Sequence, residues 1–321
     1  MIETPYRKDW QVSTSIARGM LGTEVGTRLP TISEYCETFN CSRGIVQNAL
    51  SSLQEDGAIE LEKQGKRGSF LTFKDNKKLI EYSGLNYITA SMPPPLNIHM
   101  AGLATGICQA MGRCKLPFTF AFVQGSKNRI DALKRGVYDF VVTTKYTAKE
   151  CTELNPEIEM AFPLAGCEYS QPYKLYINSP NLTEVQDGMT VAIDNSSPDH
   201  VELTKMVCEG KNVKYVEMPF ITANFAFYTG QVDCMVFRDG IEQNQDNLLN
   251  MALKNEKCIS LSDISTIPIL QGKAADMQIP VVLTNRNNYG IVGVLKNYLA
   301  GDLVSYIQER VLNGQMAPQF Y

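Results

Sequence analysis

The chain contains few of the residues from which catalytic and metal sites are built. Only two histidines, His99 and His200, and one tryptophan occur in 321 residues. The nine cysteines are irregularly spaced and form no C-x-x-C pair, which argues against a zinc site and a disulfide framework. No Walker A, G-x-S-x-G or G-x-G-x-x-G motif occurs. We therefore expect no catalytic residues, no metal and no cofactor.

Long apolar runs and an excess charge of one sign are also lacking. No stretch approaches the ~18 apolar residues of a membrane span, and the N-terminus lacks the pattern of a signal peptide. We therefore expect a cytoplasmic protein without membrane contact. The net charge is −4, and residues 1–78 hold 11 basic and 10 acidic residues. Electrostatics alone therefore does not indicate a nucleic-acid partner.

The clearest break in the chain lies at residues 81–95. It contains Pro93, Pro94 and Pro95 in a row, which a helix interior does not tolerate. This predicts a domain over residues 1–78, a linker over residues 79–95 and a second domain over residues 96–321.

Two short helices separated by a turn are predicted in the first domain. Thr31 and Glu34 form the capping-box pattern, which starts a helix that runs to about Phe39. Ser42 is expected to cap a second helix, from Arg43 to about Glu55. This second helix has an apolar stripe at helical spacing, formed by Val46, Ala49, Leu50 and Leu53.

A hairpin is predicted to follow the two helices. Residues 58–62 and 69–73 alternate apolar and polar side chains like half-buried strands, and residues 63–68 form a basic turn. A further helix is expected upstream, over residues 15–21. Together these elements predict an α+β winged helix-turn-helix.

The second of the two helices has the polar chemistry of a DNA-recognition helix. Arginine can bond to guanine edges in the major groove, and glutamine or asparagine can bond to adenine. Helix N-termini and a basic wing suit phosphates. We therefore expect double-stranded operator DNA as a partner, with a winged helix that binds protein as the alternative. The predicted DNA-binding residues are Thr31, Ser42, Arg43, Gln47, Asn48, Lys66 and Arg67.

Residues 29–71, which read LPTISEYCETFNCSRGIVQNALSSLQEDGAIELEKQGKRGSFL, resemble the winged helix of GntR-type bacterial regulators. Two positions depart from that family. Ser33 and Gln47 stand where it usually has arginines that read DNA. The resemblance implies DNA binding, but with an operator sequence that differs from the usual one.

The second domain is predicted to alternate strands and helices. Strands are expected over residues 96–100, 118–123 and 138–143, with helices between them, and this βαβαβ order predicts a parallel sheet. A second set of alternating elements spans residues 190–237. We therefore expect an α/β domain with two lobes.

Two phrases, RIDALKRGVYDFVVT (residues 129–143) and FYTGQVDCMVF (residues 227–237), resemble type 2 periplasmic-binding-protein folds, including LysR-type effector domains. The pairing of such a domain with a GntR-like winged helix resembles the YhfZ group of bacterial regulators. This resemblance implies a homodimeric transcription regulator that binds a small-molecule effector.

In such folds the ligand lies between the lobes, at loops that follow strand ends. Backbone N–H groups at the helix starts after Gly125 and Ser196 could hold an anion, and Arg129, Lys145 or Arg238 could add positive charge. The alternative is that these glycines and serines only begin helices. The predicted ligand-binding residues are Gly102, Thr105, Gly125, Ser126, Asn128, Arg129, Thr143, Asn195, Ser196 and Ser197.

The sequence thus predicts a DNA-binding transcription regulator whose two-lobed domain senses a small anionic metabolite. An α/β transferase-like enzyme that carries a winged helix is the alternative, because a cleft between two lobes can also host chemistry.

Overall fold

The computed structural model describes residues 8–114, 116–169, 172–238, 261–269, 272–288 and 290–320. The α-helices in these ranges are α1 Lys8–Gly22, α2 Ile32–Phe39, α3 Arg43–Glu55, α4 Asn76–Tyr82, α5 Ile98–Met111, α6 Ser126–Lys134, α7 Lys145–Leu154, α8 Pro198–Val207, α9 Phe220–Tyr228, α10 Ile291–Leu299 and α11 Leu303–Leu312. The strands are β1 Ile59–Lys63, β2 Ser69–Lys74, β3 Ile88–Met92, β4 Phe118–Phe122, β5 Phe140–Thr144, β6 Ile158–Pro163, β7 Tyr173–Ile177, β8 Thr190–Ile193, β9 Lys214–Glu217, β10 Cys234–Arg238, β11 Ser265–Pro268 and β12 Pro280–Asn285. None of these helices is long and apolar enough to cross a lipid bilayer.

The chain divides into two compact units that are discontinuous in sequence. The N-terminal unit comprises the described residues up to Ile88, together with Ala110–Thr119 and Arg286–Gly301. The two-lobed unit comprises the described parts of Thr89–Gln109, Phe120–Asn285 and Asp302–Tyr321. The helix α10, close to the end of the chain, therefore belongs to the same unit as the first three helices.

The N-terminal unit contains the predicted winged helix-turn-helix. Thr31 forms the complete capping box with Glu34 at the start of α2, as predicted. Ser42 occupies the N-cap position of α3 with extended backbone, but its side chain makes no capping hydrogen bond, which differs from the prediction. Strands β1 and β2 pair antiparallel across a turn at Gly65–Arg67 and form the wing.

Helices α1 and α10 approach closely at two glycines. A side-chain Cβ at Gly22 would lie 2.5 Å from the Cα of Gly293, and a Cβ at Gly293 would lie 2.1 Å from the Cα of Gly22. The amide of Asn297 also donates to the carbonyl of Leu21 at 2.8 Å. Backbone therefore contacts backbone at this crossing, which only glycine permits.

Each lobe of the two-lobed unit contains a five-stranded sheet. The strand orders are β4-β3-β5-β12-β6 and β11-β7-β10-β8-β9. The predicted parallel pairing is found between β3 and β5, but β12 pairs antiparallel with both β5 and β6, and β7 pairs antiparallel with β10. The sheets are therefore mixed and not purely parallel. Strand β12 returns to the first sheet after the whole second lobe, so no βαβ crossover dictates its direction.

The strand predicted over residues 96–100 is wrong, because helix α5 begins at Ile98. The first strand of the sheet is instead β3, which lies within the residues 79–95 that we expected to form a linker. Helix α5 is buried along most of its length, so its sequence is apolar on every side and shows no helical periodicity. A short apolar run of this kind does not distinguish a strand from a buried helix.

The eight cysteines within the described residues are free, and most are buried. Burial raises the pKa of several of these thiols, with Cys108 and Cys151 raised to about 11. Cys258 lies outside the described residues.

Candidate DNA-binding and effector sites

The exposed face of α3 carries the predicted base-reading side chains. Arg43, Gln47 and Asn48 are exposed, whereas Val46 and Ala49 are buried in the core of the N-terminal unit. This alternation follows from the helical period, which turns residues 43, 47 and 48 to the same side. Three side chains with base-reading chemistry therefore lie together on one solvent-facing surface.

The tip of the wing presents two exposed cations. Lys66 and Arg67 lie in the 3₁₀ turn, which is closed by a hydrogen bond from the Gln64 amide to the Gly68 carbonyl at 2.9 Å. Gly68 has a φ of 98°, a conformation that favours glycine. The predicted residue Thr31, at the start of α2, is also exposed. Its hydroxyl oxygen already accepts a hydrogen bond from the Glu34 amide.

A further cation at the wing, Arg28, was not predicted from the sequence. Arg28 forms an isolated antiparallel bridge with Phe70 of β2, and its side chain is exposed. A Cβ at Gly68 would lie 2.9 Å from Arg28 Nε, so the side chain of Arg28 lies directly over this glycine. The contact joins residues far apart in sequence, so no local pattern could reveal it.

Arg129 is buried in the two-lobed unit, with 1% of its surface exposed. Its Nη1 donates to the Val123 carbonyl at 2.8 Å, and its Nη2 donates to Ser126 Oγ at 3.1 Å. A third nitrogen, Nε, is buried and has no hydrogen-bond partner among the described residues. Burial lowers the pKa of Arg129, but an arginine side chain stays protonated in proteins. The guanidinium is therefore a buried cation whose Nε donor is unused among the described residues.

A second guanidinium, that of Arg238, lies near the first. Its central carbon is 4.9 Å from the ring centroid of Tyr169 and 5.0 Å from that of Tyr173. These distances are typical of cation–π contacts. Arg238 Nη1 is buried and, within the described part of the chain, lacks a hydrogen-bond partner. Burial raises the pKa of both tyrosines, so their hydroxyls stay neutral donors.

One buried carboxylate, that of Asp199, accompanies the two arginines. It accepts from Thr144 Oγ1 at 2.8 and 2.9 Å and from Thr147 Oγ1 at 2.8 Å. These bonds join β5 and α7 of the first lobe to α8 of the second. Burial raises the pKa of Asp199, while the two hydroxyls and the charges of Arg238 and Arg129 oppose this rise. We call the five residues Arg129, Tyr169, Tyr173, Asp199 and Arg238 the arginine cluster.

The predicted loops at the starts of α6 and α8 do meet. A Cβ at Gly125, whose φ is 81°, would lie 2.4 Å from Ser196 Oγ, and the Lys127 amide donates to the Ser196 carbonyl at 3.1 Å. Thr143 Oγ1 lies 3.5 Å from Ser126 Oγ, while Asn128 donates to the Gln124 carbonyl. The structure thus brings together, from the predicted set, Gly125, Ser126, Asn128, Arg129, Thr143 and Ser196.

The start of α8 already holds an anion from the protein itself. The amide and hydroxyl of Ser196 donate to Asp194 Oδ1 at 2.8 and 2.6 Å, and the Phe220 amide donates to Asp194 Oδ2 at 2.8 Å. The Ser197 amide donates to the Asp194 carbonyl, and Asn195 is exposed. The donors expected to hold a ligand at Ser196 and Ser197 are therefore used internally.

Two predicted ligand residues, Gly102 and Thr105, lie elsewhere. Both are buried inside α5, where the sequence pattern predicts a loop between a strand and a helix. Gly102 packs against Gln308 of α11. The Thr105 hydroxyl donates to the Ala101 carbonyl at 2.7 Å and accepts from the Gln319 amide at 2.9 Å. These contacts are with helix and C-terminal residues, and not with the arginine cluster.

The two histidines have structural contacts. His200 is buried, its Nδ1 accepts from the Asp194 amide, and its Nε2 lies 3.0 Å from the Val236 carbonyl, to which it donates. Burial lowers the pKa of His200 to about 4. His99 lies in α5, 3.2 Å from Glu168. Both ring nitrogens of His200 are thus in use, and no group of three potential metal ligands lies together within the described ranges.

Comparisons with known proteins extend these findings. Residues 75–320 match the family described as the YhfZ C-terminal domain, and residues 24–71 match a helix-turn-helix domain family. The uncharacterised protein YhfZ of Escherichia coli (strain K12) is 28% identical over 321 residues, which is 100% of each chain.

Solved structures share the fold of the two-lobed unit. The crystal structure of YhfZ from Shigella flexneri has 22% identity and a TM-score of 0.59, and the match covers 76% of this chain and 98% of that one. An ancestral arginine-binding protein bound to arginine has 14% identity and a TM-score of 0.50, with coverage of 71% and 97%. The predicted fold class, a helix-turn-helix domain followed by an α/β domain that resembles periplasmic binding proteins, is confirmed.

Proposed function

Because the chain belongs to the YhfZ C-terminal domain family and carries a helix-turn-helix domain, we propose that it is a DNA-binding transcription regulator that senses a small anionic metabolite. The observation that carries the DNA-binding part is the surface of α3, where Arg43, Gln47 and Asn48 are exposed together. The basic wing supports it, since a wing of this kind can contact phosphates beside the recognition helix.

The arginine cluster supports the sensing part of the proposal. The buried guanidinium of Arg129 and the partly buried guanidinium of Arg238, each with a buried nitrogen that has no partner among the described residues, are accompanied by one buried carboxylate, so the cluster favours a negatively charged ligand. The fold resembles that of a protein bound to arginine, and two-lobed units of this kind commonly hold small molecules. We assign the cluster to binding and not to catalysis, because its neighbouring hydroxyls hold Asp199 in place.

We further propose a cytoplasmic homodimer. Two winged helices related by a twofold axis would read two half-sites of an operator. Binding of the effector would shift the population between two arrangements of the regulator, by as much as its affinities for the two differ.

The Arg43→Ala variant tests the DNA-binding proposal. We expect its affinity for an operator, selected from random duplex DNA with the full chain, to fall about tenfold or more, because a bidentate arginine–guanine contact is lost. Gel retardation and fluorescence anisotropy measure this loss. Gln54→Ala, an exposed change at the other end of α3, is the matched control and should bind like the parent. Equal affinities of Arg43→Ala and Gln54→Ala would exclude α3 as the recognition helix.

The Arg28→Gln variant tests the additional cation at the wing. If Arg28 neutralises a DNA phosphate, its loss should reduce the slope of log K against log salt by about 1. Affinity measured from low to moderate salt gives this slope. Arg113→Gln removes the same charge from an exposed site beside Lys77 and Tyr298, and should leave the slope unchanged. A slope that Arg28→Gln does not alter would place Arg28 outside the DNA contact.

A further inference from the structure

In the arginine cluster, two guanidinium nitrogens from different elements have no hydrogen-bond partner among the described residues. Arg129 Nε comes from α6 of the first lobe, and Arg238 Nη1 comes from the end of β10 in the second lobe. Each is buried, and the structure describes no partner for either atom. A buried donor on a charged group without a partner is costly, so such a pair calls for an acceptor.

We infer that Arg129 and Arg238 together hold one oxyanion group of the effector, a carboxylate or a phosphate, between the two lobes of the two-lobed unit. The regulatory meaning of this inference rests on the proposed function. What it adds is the chemical group of the effector that is bound and the two residues that bind it. Guanidinium groups match the planar or tetrahedral oxygens of these anions better than ammonium groups do.

Both guanidiniums are held in place by groups of the protein itself. Arg129 is fixed by its bonds to the Val123 carbonyl and Ser126 Oγ. Arg238 is fixed between the rings of Tyr169 and Tyr173. Donors that are already ordered lose little conformational entropy on binding, which favours affinity for a small anion.

The helix N-termini do not compete for this anion. The sequence pattern at Gly125 and Ser196 suggests an anion held by the starts of α6 and α8. However, Asp194 already accepts from Ser196 and Phe220, and the Lys127 amide donates to the Ser196 carbonyl. The unused positive charge therefore lies at the arginines and not at the helix starts.

Asp199 opposes the ligand and thereby sets its affinity. Its buried carboxylate is close enough to influence the ionisation of Arg129. The two arginine charges oppose the rise that burial causes in the pKa of Asp199 and so favour its ionised form. This negative charge repels a ligand anion, so its removal should tighten binding. Asn in its place keeps an oxygen that can accept from Thr144 and Thr147, so the lobes stay joined.

The experiment uses the full chain and inorganic phosphate, acetate and chloride as probes at matched ionic strength. Differential scanning calorimetry follows the rise in melting temperature with probe concentration, which yields an apparent affinity. We expect phosphate or acetate to stabilise the protein more than chloride, and the stronger of the two identifies the effector's anionic group. Stabilisation by none of the oxyanions beyond that by chloride would overturn the inference.

Three variants locate the site. Arg129→Met should lower the affinity for the stabilising oxyanion at least about thirtyfold, because a buried charged partner is lost. Asp199→Asn should raise this affinity about tenfold, because one like charge is removed. Arg135→Met, an exposed change at the end of the same helix, should have no effect. Weaker binding by Asp199→Asn, or unchanged binding by Arg129→Met, would contradict the assignment.

The outcome is separable from that of the proposed function. Operator binding is measured on the parent chain without added oxyanion. Arg135→Met should bind the operator like the parent, because the change is remote from α3 and the wing in sequence and belongs to the other compact unit. A chain that binds oxyanions but no DNA would refute the regulator and leave the anion site standing. A chain that binds DNA but no oxyanion would refute the anion site and leave the DNA-binding regulator standing.

Discussion

The Gly293→Ala variant is expected to lower the free energy of unfolding of the N-terminal unit by about 2 kcal/mol. The new methyl group would lie 2.1 Å from the Cα of Gly22, far closer than two carbon atoms can approach. Because the opposing atom is backbone, no side chain can turn aside, and α1 must move away from α10. That movement would unpack Met20 and Leu21 and stretch the bond from Asn297 to the Leu21 carbonyl. The better helix propensity of alanine, roughly 1 kcal/mol, offsets only part of this loss.

The chain offers both a local probe and a matched control for this prediction. Trp10, the single tryptophan, lies in α1, so its fluorescence during denaturation with urea reports the N-terminal unit. Gly301→Ala is the control, since a Cβ at Gly301 would meet no atom within 4 Å. If Gly293→Ala unfolds at the same urea concentration as Gly301→Ala, the close approach of the two helices is refuted.

His200 is expected to remain neutral in the folded protein until the pH falls to about 4. Its Nδ1 accepts from the Asp194 amide, so a proton on that nitrogen would break a buried hydrogen bond as well as bury a charge. The unfolded chain takes up this proton near pH 6.5. Between those two values the unfolded state binds more protons, so stability rises with pH. Roughly 3 kcal/mol is therefore present above pH 6.5 and lost as the pH falls toward 4.

Two measurements check this prediction. In the His99→Gln variant His200 is the one remaining histidine of the chain, and its ring proton resonance in an NMR titration should show a midpoint near pH 4. In urea denaturation, the stability advantage of the parent over His200→Gln should shrink as the pH falls from 7 to 4.5, because carboxylates titrate equally in both proteins. A midpoint near 6.5, or a constant advantage, would mean that His200 is accessible to protons.

Local sequence patterns were sufficient to predict the winged helix. The capping box at Thr31 and Glu34 is present, and α3 begins and ends at the predicted residues. These features depend on interactions between residues a few positions apart, so a short stretch of sequence contains all the information required. The alternating strands and helices of the two lobes could be predicted for the same reason. They match the fold of a solved relative.

Local patterns failed where burial removes periodicity or where strand direction depends on the rest of the chain. Helix α5 is apolar on all sides, so the sequence pattern predicts a strand at its start and a loop at Gly102 and Thr105. The direction of β12 is likewise invisible in its sequence, because a run of buried residues reads the same in a parallel or an antiparallel pair.

Local sequence patterns alone were enough to predict helix α3, the wing and the alternating strands and helices of the two lobes, since interactions between near neighbours specify them. Which charged side chains lack a hydrogen-bond partner among the described residues depends on the folded chain. The position of Arg129 after Gly125 makes it a candidate in the sequence, but the lack of a partner for its Nε depends on the burial of the side chain. Arg238 comes from a distant segment and lies against Tyr169 and Tyr173. Burial and hydrogen bonding depend on segments far apart in the chain, so the candidate anion site is a property of the fold and not of any local motif.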